Sequence, residues 1–250
     1  LQRLEVFNWG TFDSLDGSIH RFEPNGRTSL LVGHNGSGKS TLVDAILTLL
    51  VDSRSRNYNV AAGAKRTERT TKSYLKGAYD RTTDDSQANV VKFLRPKGNH
   101  LSAISAVFRD EILDRTFTLT QVLYLKSDSD DKVYAIADSD RELKEVLAGL
   151  VKSDGIREHL KHHSYRTTRA YTEYLGWVTS RTSMRSKAID MFNQTVHVKD
   201  IQSLNDLIRR HMLESHDWRE KVQRLLTHFA DLSTAHQELV RARNARTLLE

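Results

Sequence analysis

Short apolar runs separated by turn residues open the chain. Leu4, Val6 and Phe7 make a strand-like run that meets a turn at Asn8-Trp9-Gly10. Ile19 and Phe22 mark a second strand, closed by Pro24-Asn25-Gly26. Ser29-Leu30-Leu31-Val32 reads as a short buried strand running straight into a glycine-rich loop. After the loop the period changes. Leu42, Ala45, Ile46 and Leu49 recur at helical spacing, which predicts a helix over 41–51.

Between 52 and 100 the periodicity is poor and basic residues are frequent. Strands are predicted again over 103–109, 116–126 and 132–137, the last two joined by a polar loop, Ser127-Asp128-Ser129-Asp130-Asp131. Helical patterns follow over 140–151, 154–163, 168–178 and 201–213. The final stretch differs in kind. Trp218, Val222, Leu225, Phe229, Leu232, His236 and Leu239 step by alternating fours and threes, the a/d rhythm of a coiled coil. Spacing alone serves a helix packed on its own domain equally well. No internal repeat or low-complexity tract is present.

The glycine loop carries the sharpest chemistry. Gly33-His34-Asn35-Gly36-Ser37-Gly38-Lys39-Ser40 fits Gly-x4-Gly-Lys-Ser between a predicted strand and a predicted helix. Glycines let the backbone wrap so that its N–H groups face phosphate oxygens, and the helix N-terminus adds partial positive charge. ATP and Mg2+ are therefore the expected cofactors. Lys39 is assigned to the β- and γ-phosphates, Ser40 to the metal, and Thr41, in the first turn of the helix, to the nucleotide as well.

Composition narrows the surroundings. The 250 residues include 38 Lys+Arg against 32 Asp+Glu, a formal net charge of +6. That allows an anionic partner without demanding one. No apolar run approaches the roughly 20 residues of a membrane helix, and the start lacks a signal-peptide pattern. Cysteine is absent, which excludes disulfides and Cys-based zinc sites and agrees with a reducing cytoplasm. His159, His162 and His163 lack an acidic partner and read as a solvated helix face. Asp128, Asp130 and Asp131 lack the Gly and Glu of a calcium loop.

The inner loop residues, Asn35-Gly36-Ser37-Gly38-Lys39-Ser40-Thr41, resemble ABC-type ATPases, including SMC proteins. Such sites also need a Walker B strand ending in Asp-Glu and a signature motif near Ser-Gly-Gly. The nearest run, Val133 to Asp138, is followed by Ser139, and no Gly-Gly pair occurs. The chain thus carries half of an ATP site. The resemblance implies a split head: an N-terminal lobe with the phosphate loop, then a coiled coil leading to a C-terminal lobe with the remaining groups. The expected fold is an α/β P-loop lobe, a mixed sheet with helices, over 1–213, and the root of a coiled coil over 214–250.

Further stretches sharpen the resemblance. Leu4 to Phe12 resembles the opening of the MukB-like branch of SMC proteins. Tyr58-Asn59-Val60-Ala61-Ala62-Gly63-Ala64, with Arg69 and Ser73-Tyr74, resembles the JetC family, the SMC-like subunits of Wadjet plasmid-defence systems. Phe192-Asn193-Gln194-Thr195-Val196 and the run from Leu207 to Leu213 are similar to that family's entry into the coil. The resemblance implies a DNA-translocating, loop-extruding ATPase in the bacterial cytoplasm. Its implied partners are a second head, a kleisin, a small winged-helix (KITE-type) subunit, a nuclease subunit and double-stranded DNA, with no membrane.

The family pattern puts Gln194 at the Q-loop, contacting Mg2+ and attacking water, with Gln202 as fallback; the plain alternative is a surface-turn glutamine. It puts Arg56 near nucleotide or DNA. It puts Trp9 on the adenine side, where core packing is the alternative. Basic residues crowd 54–97, and Lys65, Arg66, Arg69 and Lys72 are the leading candidates for DNA backbone contact, against a solvated basic surface. Three rivals stay open: a MukB-like chromosome condensin, a self-contained P-loop nucleotidase or kinase with a functional Asp138, and a DNA-binding module with a vestigial loop.

Overall fold

The computed structural model describes residues 1–14, 16–56, 58, 69–83, 89–98, 100–126, 129–150, 155–184, 186–196 and 218–249. The chain divides into two compact units, Leu1–Asp200 and Ile201–Glu250.

The first unit is organised by a six-stranded sheet. Its strands are β1 (Arg3–Phe7), β2 (His20–Phe22), β5 (Leu101–Asp110), β6 (Arg115–Lys126), β7 (Ser129–Ala137) and β8 (Arg166–Thr168), in the order β2-β1-β5-β6-β7-β8. A separate hairpin pairs β3 (Ala78–Thr83) with β4 (Asn89–Phe93). The helices of this unit are α1 (Lys39–Leu50), α2 (Thr71–Lys76), α3 (Leu143–Leu147), α4 (Ile156–His162), α5 (Tyr171–Thr182) and α6 (Ser186–Thr195).

Every pairing among the described strands is antiparallel, which corrects the expectation of a mixed sheet. The physical reason is connectivity. β5, β6 and β7 follow one another with only a few residues between them, and only a long crossover can place consecutive strands parallel.

Alternation along the strands sends side chains to two cores. One face carries Leu4, Val6, Ile104, Leu119, Tyr134 and Ile136 against α1, α2 and α5. The other carries Ala103, Val122, Val133 and Ala135 against α3 and α4. The sheet is thus buried on both faces, and its central strands are buried along most of their length, Ser105, Thr118, Thr120 and Gln121 included. A third cluster joins Leu47 and Val51 at the end of α1 to Ile189 of α6.

The buried strand expected over 29–32 does not form. Leu30 is 86% exposed and Val32 75% exposed. No described strand lies beside this segment to take its hydrogen bonds, so the apolar run stays uncovered.

Elements also arise within the stretch that shows no period. Thr70 caps α2 in a reciprocal arrangement with Ser73, and Gly77 closes the helix in the left-handed conformation. In the second unit, α7 (Trp218–Leu249) is one 32-residue helix whose Val222, Leu225, Phe229, Leu232 and Leu239 are all exposed. The predicted helix over 201–213 and the boundary at 213 lie outside the described residues.

Candidate phosphate-binding site

Residues 33–37 form an exposed loop that feeds the first turn of α1. Gly38 is the N-cap, at φ 90° and ψ 5°. A Cβ there would lie 3.0 Å from the Phe12 ring, so both conformation and space call for glycine. No side chain caps this helix and no acid occupies its first turn. Its N-terminus is therefore open to an external anion.

Lys39 Nζ donates to the carbonyl oxygens of Gly33 (2.6 Å) and His34 (2.7 Å). The ammonium is curled over the loop, where phosphate oxygens can replace those carbonyls. Ser40 follows at the second helical position, half-buried. Gly33, His34, Asn35, Gly36, Ser37 and Gly38 thus supply backbone, Lys39 charge, and Ser40 a hydroxyl, all on one short segment. That donor set fits a nucleotide's phosphates and a magnesium ion.

The loop is supported from below. The Trp9 indole Nε1 donates to the Thr41 carbonyl at 3.0 Å, and its ring stacks on Tyr74 with centroids 4.5 Å apart. Trp9 is wholly buried, so it backs the loop and does not face a base. The nucleotide-contact expectation for Trp9 is corrected accordingly.

Residues 1–65 match the family model described as the P-loop containing region of AAA domain. The match takes in the loop, α1 and β1, 65 of the 250 residues. The chain therefore has a P-loop ATPase-like domain at its N-terminus. No curated protein matches the sequence.

Around this P-loop the remaining candidates fall in unexpected places. Arg56 is buried, and its guanidinium donates to Tyr58 Oη (2.7 Å), Thr48 O (3.0 Å) and Val51 O (2.8 Å). It ties off the C-terminal end of α1, about 18 Å of helix away from the P-loop. Both Nη groups are bonded inside and Nε is buried, so neither nucleotide nor DNA reaches them. Gln194 belongs to α6, which packs beside the same far end of α1. The neighbouring Asn193 donates to the Ser55 carbonyl at 3.0 Å. α6 thus lies at the end of α1 away from Lys39 and Ser40, while the Gln194 side chain and Gln202 lie outside the described residues.

The basic candidates also divide. Lys65 and Arg66 lie outside the described residues. Arg69 is turned inward, its Nη1 3.7 Å from the fully buried carboxylate of Asp44. This corrects its assignment to DNA, because a cation held against a core carboxylate is not offered to a phosphate backbone. Lys72 is half-buried on α2. Among the described residues the three histidines form no metal cluster; His159 instead pairs its Nε2 with the Val146 carbonyl at 2.7 Å. No described helix is long and apolar enough to cross a membrane.

Asp138 is engaged by Arg181, whose Nε and Nη2 both reach its carboxylate, the latter at 2.7 Å. The guanidinium holds this carboxyl below the usual range. Any stability it contributes is present above the ordinary carboxylate pKa and is lost as pH falls below about 4. The carboxylate is 70% exposed, so water screens the pair. Asp138→Asn is expected to cost less than about 1 kcal/mol in thermal unfolding. Mixed with a lobe that supplies the missing groups, it should also leave nucleotide turnover unchanged, whereas a Walker B acid at this position would lose it.

Proposed function

We propose that this chain is the nucleotide-binding lobe of an SMC-type ATPase head of the kind found in Wadjet plasmid defence. The observation that carries the reading is the uncovered run over 29–32, directly before the P-loop. A strand that leads into a phosphate loop belongs inside a sheet, yet Leu30 and Val32 face solvent. Both backbone edges and both faces call for a neighbour. A second lobe bringing the acidic Walker B strand would supply it and complete the site together. The exposed apolar row on α7 supports the same layout, since a lone helix with this seam is stabilised by a partner helix.

On this reading the backbone at 33–38 binds phosphates, Lys39 neutralises the β- and γ-groups, and Ser40 ligates Mg2+. The second head, the kleisin, the winged-helix subunit and the nuclease belong to the assembly, as does double-stranded DNA. DNA contact falls to Lys65 and Arg66 and to exposed cations such as Arg54 and Lys97, through phosphates and without base readout.

The test is ATP hydrolysis by this chain alone and mixed with the lobe carrying the Walker B acid and signature. Turnover is expected only in the mixture. Turnover by the chain alone, at the same rate, would mean a self-contained nucleotidase and would overturn the split site.

A further inference from the structure

Arg95 is a buried cation with no place in the scheme above. It is 8% exposed, and every donor is aimed at the turn between β1 and β2 or at the end of α2. Nη1 meets Asp13 Oδ1 at 2.7 Å. Nη2 lies within reach of the carbonyls of Asn8 (3.0 Å), Gly10 (2.9 Å) and Tyr74 (3.1 Å). Nε donates to the Leu75 carbonyl at 3.1 Å. A lysine could satisfy some of these groups but not the whole fork.

The 8–13 turn is the element that touches the P-loop from behind. Phe12 packs its ring on Gly38, and Trp9 donates to the Thr41 carbonyl. Gly10, at φ 56°, sits so close to Thr41 that a Cβ would come within 2.6 Å of its methyl group. Asn8 is itself held in the left-handed region, with its backbone N–H and side chain both bonded to Ser14. A turn in this conformation keeps its shape only when its neighbours over-determine it. Arg95 joins the carbonyls of Asn8 and Gly10 to α2 and to Asp13, beside the Gly10 N–H that donates to the Tyr74 carbonyl and the Ser102 hydroxyl that donates to the Asn8 carbonyl.

We propose that Arg95 is a positioning residue for the P-loop, acting through the 8–13 turn on Gly38 and Thr41. The proposal rests on the nucleotide-binding reading of that loop. Arg95 touches no phosphate. It fixes the platform that fixes the loop, in the manner of outer groups that orient metal ligands.

The test is hydrogen exchange of the nucleotide-free chain, with and without Arg95→Lys, together with Mg·ATP binding by calorimetry. Faster exchange confined to the first turns of α1 (Leu42 to Ala45), with β6 and β7 unchanged, is the expected result. Affinity for Mg·ATP is expected to fall about tenfold, the scale on which orienting partners act. Unchanged exchange at α1 overturns the proposal, and so does a rise spread equally through β6 and β7, which marks a general loss of stability. Phe12→Ala, at a half-exposed position, lifts the ring from Gly38 and should give the same local pattern if Arg95→Lys does not fold. Failure of the underlying reading looks different: the unsubstituted chain binds no Mg·ATP, while the exchange comparison still decides whether Arg95 sets the loop.

Discussion

Lys39→Ala is expected to weaken Mg·ATP binding by roughly ten- to a hundredfold while leaving the fold intact. The ammonium is an exposed group resting on two loop carbonyls, at 2.6 and 2.7 Å from Gly33 and His34. Charge-assisted hydrogen bonds contribute about 1.5–3 kcal/mol each, and about 1.4 kcal/mol is a factor of ten. Phosphate oxygens offer full charge where the carbonyls offer only dipoles, so the bound state depends on Lys39 far more than the free state does. Removing an exposed side chain of this kind shifts stability by no more than about 0.5 kcal/mol. Calorimetric titration with Mg·ATP beside a thermal melt separates the two effects. Equal affinity in both proteins would remove the P-loop from the function.

The largest effect on stability is expected at Asp44. This carboxylate is fully buried one turn along α1 from Ser40. It accepts a short hydrogen bond from the Tyr74 hydroxyl and lies 3.7 Å from Arg69 Nη1. Burial and the adjacent carboxylate push the Tyr74 hydroxyl far above its ordinary pKa, so it stays a donor at any working pH. Asp44→Ala leaves a hydroxyl and a guanidinium facing a cavity. Breaking a buried charge pair from one side costs about 3–5 kcal/mol, and the 31% exposure of Arg69 puts this pair toward the lower end. For a domain of this size that lowers the melting temperature by roughly 6 to 20 °C. Tyr74→Phe, which removes only the donor, should cost about 1–3 kcal/mol by the same melt. A drop under about 1 kcal/mol for Asp44→Ala would mean that Arg69 finds water and the cluster contributes little.

Local signals in the sequence go a long way for this protein. The glycine loop, the helix behind it, the turn at Asn8-Trp9-Gly10 and the β6–β7 hairpin are all written in adjacent residues. What is not legible depends on neighbours. The run over 29–32 has the composition of a buried strand, but burial is decided by what lies beside it. Arg56, Arg69 and Arg95 look alike as members of a basic stretch, yet each is drawn inside by carbonyls or a carboxylate contributed by other elements. Family pattern assigns Gln194 to the nucleotide, and only tertiary packing shows its helix at the other end of α1. The helix α2 escapes the periodicity although Thr70, Ser73 and Gly77 carry its start and stop signals, because six residues are too few to show a period.

Strand order also sets when the phosphate site can form. β5, β6 and β7 are sequential neighbours, and such contacts close small loops and form early. β1 joins them only by pairing Leu4 with Ala106 across about a hundred residues of chain, a slow step by comparison. The 8–13 turn travels with β1. Competence to hold a phosphate is therefore expected to arise late in folding, after the central meander is already in place.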